Sequence, residues 1–539
     1  MSRLPAAALT ALALATIGAF FVTQHLKVTT PLIAGIRAPA PGVINPRGGA
    51  VCDGVDHRGA TISFYLLHRA DDVDVYVTDQ AGTIVRTLAS GRHMRRAVRN
   101  PDGDYRWNGR EDNGAVAPDG TYLIEVALIH QGRTVILSNA SGPLTIRVLT
   151  RKPQPVVEGV SPHLVHGPGT PVRIRYSGNF GNGVSVLMYR TDVPGPPRLA
   201  KAFRAAQSAV WDGRIRERPA PAGIYLVGLS VTDAACDTVR VPRSLPPPPG
   251  STPGAGVTVR YVAATPPLEP VPAGTAAPVV VDAGRRPYRW SLRRAGATLT
   301  TGGTDQPRLE ARLPDGRPGL YELDLRTGPH ATAVPLVASA SAPAPVLVVL
   351  PALTWQGLNP VDETGDGLPD TLDTARVISL RRPLSQGLPA GFSDEAALLA
   401  YLDATHRSYQ LTTDLGLIES VGPALAGHRA VILAGSERWL PAATAAALRS
   451  YTAGGGHLLS LGTGSLLRQV AIRGGQALDP TGPAAHDGLG ARAGDSGVAA
   501  FQLGRGTVTE IRLPGFGSSL GRDAGARALL NRLWKGSGA

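Results

Sequence analysis

Apolar residues recur along this chain in three rhythms, and each predicts a different element. In Val73-Asp74-Val75-Tyr76-Val77 every second residue is apolar, as are Tyr122, Ile124, Val126 and Leu128. Such alternation predicts strands with one buried face. Val346 to Leu350 and Val431 to Ala434 are instead continuous apolar runs, the pattern of strands buried on both faces in a parallel sheet, and His457 to Leu461 reads as the next strand. Helical spacing appears in Ala443, Ala446, Ala447 and Leu448, between Pro441 and Gly454-Gly455-Gly456. It recurs from Ser393-Asp394-Glu395 to Leu402, and from Asp523 to Trp534 with Ala526, Leu529, Leu530 and Leu533 inward. Proline suits a first helical turn, serine before acidic residues caps one, and glycine ends one.

These rhythms divide the chain. Residues 57–150 read as a β-sandwich with Trp107 as a core ring and Asn108-Gly109 and Asp119-Gly120 as tight turns. Trp211-Asp212-Gly213 followed by Tyr225 repeats the motif at nearly the same spacing, so 158–243 is expected to form a second sandwich. The proline-rich segment 244–256 reads as an interdomain linker. Residues 257–339 read as a third, less regular sandwich, because Trp290 is not followed by Asp-Gly. From 345 to 539 strand, helix and strand alternate, which predicts a doubly wound α/β domain around a parallel sheet. Leu4 to Val22 carries no charge and is long enough to be read as a transmembrane helix, so 1–26 is expected to be a signal anchor and 27–56 a linker. The expected placement is a single-pass cell-membrane protein with its bulk extracytoplasmic, or a secreted one if the segment is cleaved.

Length and charge change the picture little. The 539 residues allow about three to four domains. The formal charge of +13 rests on 54 basic residues, nearly all arginine, since Lys27, Lys152, Lys201 and Lys535 are the lysines. This balance favours anionic partners such as cell-wall polymers, glycans or lipid head groups. The arginines are scattered, with no basic helix interleaved with aromatics, and no nucleic-acid partner is expected. Cys52 and Cys236 are the two cysteines, an even number that permits a disulfide and leaves two buried thiols as the alternative.

Candidate chemistry lies in two places. In DETGDGLPDTLD, Asp362, Thr364 and Asp366 stand at positions one, three and five, Gly367 at six, Leu368 at seven, and Asp370 and Asp373 at nine and twelve. This is the spacing of a calcium loop. Thr364 replaces a stronger ligand there, and Asp373 replaces the bidentate glutamate. The second place is the loop after the Val431–Ala434 strand, where open α/β sheets keep their sites. Glu437 is its candidate catalytic or ligand-binding carboxylate, and it could equally serve as a helix first-turn charge. Ser465 and His457 lack the nucleophile-elbow context of a serine hydrolase.

The Trp-Asn-Gly and Trp-Asp-Gly segments resemble the immunoglobulin-like domain of the flagellar hook-capping protein, which implies adhesive or spacer sandwiches. PALTWQGLN, Arg382-Pro383, Tyr401-Leu402-Asp403, Thr413-Asp414, AGSERW and GGGHLLSLG resemble the C-terminal domain of the N,N-dimethylformamidase large subunit. That domain is itself similar to the class I glutamine-amidotransferase fold. The resemblance implies an amidase whose mononuclear iron is held by tyrosine and glutamate. Leu358 stands where the family motif usually has tyrosine, and Gly435-Ser436-Glu437-Arg438-Trp439 keeps the glutamate without the histidine and neighbouring tyrosine. Iron is therefore not expected. Gly462-Thr463-Gly464 stands where an amidotransferase has its nucleophilic cysteine. Two functions remain: an anchored envelope protein with a noncatalytic head that binds a glycan, peptide or protein, or an extracytoplasmic hydrolase of amide or glycosidic bonds.

Overall fold

The computed structural model describes the chain except for residues 1–3, 30, 49–50, 53, 98–103, 179–183, 206–207, 467, 479–496 and 537–539. It is β-rich and divides into two compact units. One comprises Met1–Pro155, Gly178–Val184 and Ser230–Arg240, and the other comprises Val156–Ser177, Ser185–Leu229 and Val241–Ala539.

The first helix runs from Leu4 to Thr29. Among the described residues, no helix is long and apolar enough to cross a membrane. The expected transmembrane anchor, and with it the single-pass cell-membrane placement, is corrected accordingly.

Three sandwiches share one topology. The strands Ile33–Ala40, Ala60–Leu66 and Asp104–Trp107 form a three-stranded sheet of the first. Opposite it, in order, lie Val43–Ile44, Thr145–Val148, Gly120–Leu128, Asp71–Thr78 and Ile84–Met94. The second and third sandwiches repeat this strand for strand. In each, a two-residue strand pairs in parallel with the last strand: Val43–Ile44 with Arg147–Val148, Leu164–Val165 with Thr258–Val259, and Val271–Pro272 with Ala338–Ser339. Two expected boundaries move as a result. Residues 27–56 are not wholly a linker, because Ile33–Ala40 is the first strand of the first sandwich. The proline-rich stretch leads back into the second sandwich, whose last strand is Gly256–Val259. Proline keeps a chain out of regular pairing, and this stretch serves as a loop within one domain.

The repeated tryptophan motif is one physical device used twice. Trp107 and Trp211 are fully buried, and each indole Nε1 donates at 2.9 Å to a backbone carbonyl three residues on, Arg110 O and Arg214 O. The intervening turn is held by Asn108 in one copy and Asp212 in the other, which accept from the N–H groups of Arg110 and Arg214. Gly109 and Gly213 sit at φ +72° and +75°, a left-handed conformation that strains other residues. Each ring then meets a tyrosine, Tyr122 at 5.0 Å or Tyr225 at 5.5 Å, whose hydroxyl donates to Pro118 O or Pro221 O.

In the α/β region the sheet order is Gln410–Thr413, Val346–Leu350, Ala430–Leu433, His457–Leu461, Gly506–Arg512 and Gly497–Leu503. The first five strands run parallel and the last antiparallel. Val346–Leu350 is buried at every position, as its unbroken apolar run requires, with helices Phe392–Ala404, Ala442–Ala453 and Ala524–Gly536 among those that follow the strands. The loops after the strands Val346–Leu350, Gln410–Thr413, Ala430–Leu433 and His457–Leu461 gather at one edge of the sheet.

Candidate functional site

Three acidic side chains from separate elements converge at that edge. Asp414 opens the helix Asp414–Glu419, whose N-cap Thr413 accepts from Gly416 N at 2.9 Å. Its carboxylate accepts from Leu415 N at 2.7 Å and from Leu353 N at 3.0 and 3.1 Å. Asp414 thereby also satisfies a first-turn N–H of the helix Ala352–Gly357, a favourable place for an anion. Glu437 enters from the loop after Ala430–Leu433. Its backbone is fixed by Glu437 N to Ser465 Oγ at 3.2 Å and by Leu466 N to Glu437 O. Glu395 enters from the helix Phe392–Ala404, beneath Gly435 and Gly391, where an added Cβ would meet its carboxyl group.

Glu437 and Asp414 are 0% exposed and Glu395 1%. The Glu437 and Asp414 carboxyl groups are within hydrogen-bonding reach of each other, and no backbone N–H among the described residues reaches either Glu437 oxygen or Glu395 Oε2. Burial pushes Glu395 up to about 8, with Asp414 and Glu437 also raised above the usual carboxylate range, first by burial. The neighbouring Asp414 charge raises Glu437 further, and Glu395 adds to it. Like charges in a dry site cannot all ionise, so the group holds protons at neutral pH.

A cavity of about 20 Å³, room for about one water, is lined by Asp394, Leu398, Gly435, Leu461, Gly462, Phe516 and Gly517 and by none of the three acids. Gly462 sits at φ +91° with its α-carbon against the Gly435–Ser436 backbone, closing the loops on each other. Ser465 Oγ donates to Leu461 O at 3.0 Å and is occupied as a structural hydroxyl. His457 begins its strand at the opposite end of the sheet, with Nδ1 2.6 Å from Thr507 Oγ1. It borders a separate cavity of about 220 Å³ walled by Val346, Ile432, Leu459, Leu530 and Trp534. Ser465, His457 and Glu437 are therefore not assembled into one site. Nor do these residues fit the iron that the resemblance implies: Leu358 offers no donor, and Asp414 is committed to backbone N–H groups. No step is derived through iron.

The calcium-spaced loop uses its acids differently. Asp362 accepts from Gly365 N at 2.7 Å, Asp366 N at 3.2 Å and Gly367 N at 2.9 Å. Asp366 accepts from Leu368 N at 2.9 Å and Gly250 N at 3.3 Å, and Asp370 from Glu363 N at 2.7 Å and Thr364 N at 3.0 Å. Burial still wins at Asp362, raised to about 6, and Asp370 is raised for the same first reason. Asp373 points away to Arg438 and Arg468, at 3.1 and 2.7 Å. The Thr364 hydroxyl and the Leu368 carbonyl take no part in these bonds. The loop backbone packs into the second sandwich, with Gly256 N donating to Gly365 O at 2.9 Å and the Thr191 hydroxyl to Gly367 O at 2.7 Å.

Glu395 and Asp414 had no site signature in the sequence. Asp394-Glu395 reads as helix-capping chemistry, and Thr413-Asp414 counts there only as one of the segments that carry the family resemblance. The structure also bonds Cys52 to Cys236, with Cα atoms 6.1 Å apart.

Known families match two parts of the chain. Residues 306–485 match the N,N-dimethylformamidase beta subunit-like C-terminal family. Residues 53–132 match the FlgD Ig-like domain. The curated relatives include the basal-body rod modification protein FlgD of Salmonella typhimurium, 26% identical over 114 residues, which are 21% of this chain and 46% of that protein, and its Salmonella typhi counterpart with the same figures. The chain spans less than half the length of these relatives. Among solved structures, the fibronectin(III)-like modules of Clostridium thermocellum CbhA cover 39% of this chain and 92% of their own at 13% identity and a TM-score of 0.20. A marsupial T cell receptor covers 52% and 95% at 10% identity and a TM-score of 0.22. The chain thus combines Ig-like domains with a dimethylformamidase-like domain.

Proposed function

We propose that this chain is a noncatalytic binding protein, in which three sandwiches space and present an amidase-like head that engages a glycan, peptide or protein partner. The observation that carries this reading is the sealing of Glu437: its carboxyl group is fully buried, which leaves no atom of it for an amide substrate to reach. Recognition then falls to the outer surfaces. In the second sandwich Arg173 and Arg175 alternate with the buried Val172, Ile174 and Tyr176 and project outward, which together with the +13 charge favours an acidic glycan or acidic protein face.

The convergence of Glu395, Asp414 and Glu437 favours a second reading, a hydrolase whose edge loops open to admit substrate. One experiment separates the two. The full chain is incubated with small amides and acidic glycans, following amine or ammonia release and, in parallel, salt-dependent retention on the glycan. Retention that weakens with salt, without turnover, supports the binding reading. Turnover abolished by Glu437→Gln overturns it.

A further inference from the structure

The first compact unit brings a set of soft and borderline donors to one point. The two sulfurs of Cys52 and Cys236 and a ring nitrogen of His57 all lie within 4.8 Å of one another. Each donor is positioned by its own local structure. Cys52 sits on the short hairpin Val51–Cys52 and Val55–Asp56, where it pairs with Val55. Cys236 sits in the tight turn from Asp233 to Asp237, closed by Cys236 N to Asp233 O at 3.1 Å and Asp233 N to Asp237 O at 3.0 Å. Its φ of +63° is left-handed, a conformation that a non-glycine residue holds only when its surroundings dictate it.

A backbone carbonyl sets the tautomer of His57. Its Nδ1 lies 2.9 Å from Val43 O, and a carbonyl can only accept, so Nδ1 carries the proton. Nε2 then keeps the lone pair, the tautomer that a backbone carbonyl imposes on metal-binding histidines. The same strand is fixed again by Asn45 N donating to His57 O at 2.9 Å, and the Asn45 side-chain amide donates to Asp237. The same turn carries Asp233, 5% exposed, whose Oδ1 accepts from Ala235 N and Asp237 N, both at 2.9 Å, and so holds the turn that presents Cys236.

We propose that Cys52, Cys236 and His57 form a zinc-class metal site that exists when the disulfide is reduced, with the fourth position left to water. Two thiolates and one neutral imidazole supply three donors of a tetrahedral site for a borderline-soft divalent ion. Disulfide and metal use the same sulfurs, so the two states exclude each other. Thiol–disulfide exchange with a dithiol adds two electrons and two protons across the S–S bond and converts the dithiol to its own disulfide. Zinc binding then expels the two thiol protons. Exchange with an oxidised disulfide reverses both steps and releases the ion.

The test uses the full chain and zinc itself. Protein reduced with a dithiol and then freed of it is titrated with zinc, the thiols are counted, and cobalt(II) serves as a spectroscopic substitute that reports thiolate ligation. The reduced chain is expected to take up one equivalent at least about 100-fold more tightly than the oxidised chain. His57→Ala leaves the disulfide intact and should weaken zinc by at least about tenfold. Release of zinc on adding oxidised disulfide would complete the cycle. The proposal fails if the reduced chain binds zinc no better than the oxidised one, or if His57→Ala binds it as tightly as the parent with the same cobalt spectrum. Cys52→Ser should lose both the disulfide and the site. Should that variant misfold, His57→Ala alone decides between the site and its absence.

Discussion

Two groups of acids in the same region answer burial in opposite ways. The Asp362–Asp373 loop meets its carboxylates with backbone N–H groups, seven of them shared among Asp362, Asp366 and Asp370, and with two arginines at Asp373. At the sheet edge Glu437 meets the carboxyl group of Asp414 and no backbone N–H among the described residues, and Glu395 leaves an oxygen unpaired. Burial alone therefore does not decide a carboxylate's state. Asp362 reaches about 6, against about 8 for the more deeply buried Glu395, and Asp414 is raised despite the N–H groups it accepts, so oriented N–H dipoles offset only part of what burial removes. The loop is built to keep charge, and the edge is built to hold protons.

The largest effect should come from removing the cation that ties the loop to the fold. Arg382 is 1% exposed and donates to Asp370 O, Gln356 O and the Glu363 carboxylate. Arg382→Ala strands these acceptors and should cost about 3 to 5 kcal/mol. Amide exchange of the strands Val346–Leu350 and Ala430–Leu433 in the full chain reads this directly. A loss below about 1 kcal/mol would show that the loop stands without it.

The edge group should make the same strands less protected as pH rises. A carboxyl group whose folded pKa is raised binds more protons folded than unfolded, so its contribution is full below the unfolded value and is lost as pH climbs through the folded one. For Glu395 that window runs from about 4.5 to about 8, with Asp414 and Glu437 shifted in the same direction. Glu437→Gln should flatten the slope and stabilise the region by about 1 to 3 kcal/mol at the alkaline end, with little change at the acidic end. Equal slopes in parent and variant would mean that Glu437 does not titrate there.

A smaller loss tests the loop's own bonding. Asp362→Ala removes the acceptor for three N–H groups and should cost about 1 to 3 kcal/mol in thermal unfolding. Its pH dependence should run opposite to a simple ion pair, since the lost charge was itself disfavoured below about 6.

What the sequence made legible follows from distance along the chain. The tryptophan motif was readable because Trp107 and Arg110, or Trp211 and Arg214, interact within one turn. The parallel strands were readable because burial on both faces leaves an unbroken apolar run, as in Val346–Leu350. Glu437 could be singled out because a loop after a parallel strand has a known position. Its partners could not, because Asp414 and Glu395 arrive from other elements and their burial depends on packing. The third sandwich repeats the topology of the first two without their Trp-Gly turn, since pairing order is fixed by alternation along every strand rather than by one motif. Composition misled at the proline-rich stretch, which indicates an exposed chain and not a domain boundary, and at the first helix, where apolar character was read as a span.

The smallest expected effect is that of calcium on the acidic loop. Ligand spacing counts residues that can approach an ion, but an ion needs their free lone pairs, and here the Asp362, Asp366 and Asp370 oxygens accept N–H groups of the loop itself and of Gly250. Asp373, the twelfth position, is drawn off by Arg438 and Arg468. Binding would have to break those contacts before it gained coordination. Extracellular loops bind calcium at about 0.1 to 1 mM even when preformed, so at about 1 mM the gain should be well below 1 kcal/mol. Thermal unfolding of the full chain with calcium, magnesium or chelator should therefore agree within about 1 °C, in the parent and in Asp366→Ala alike. A calcium-specific rise of several degrees that Asp366→Ala abolishes would show the loop opening to admit the ion, and the contrast between the two acid groups would then be one of ligand supply rather than of design.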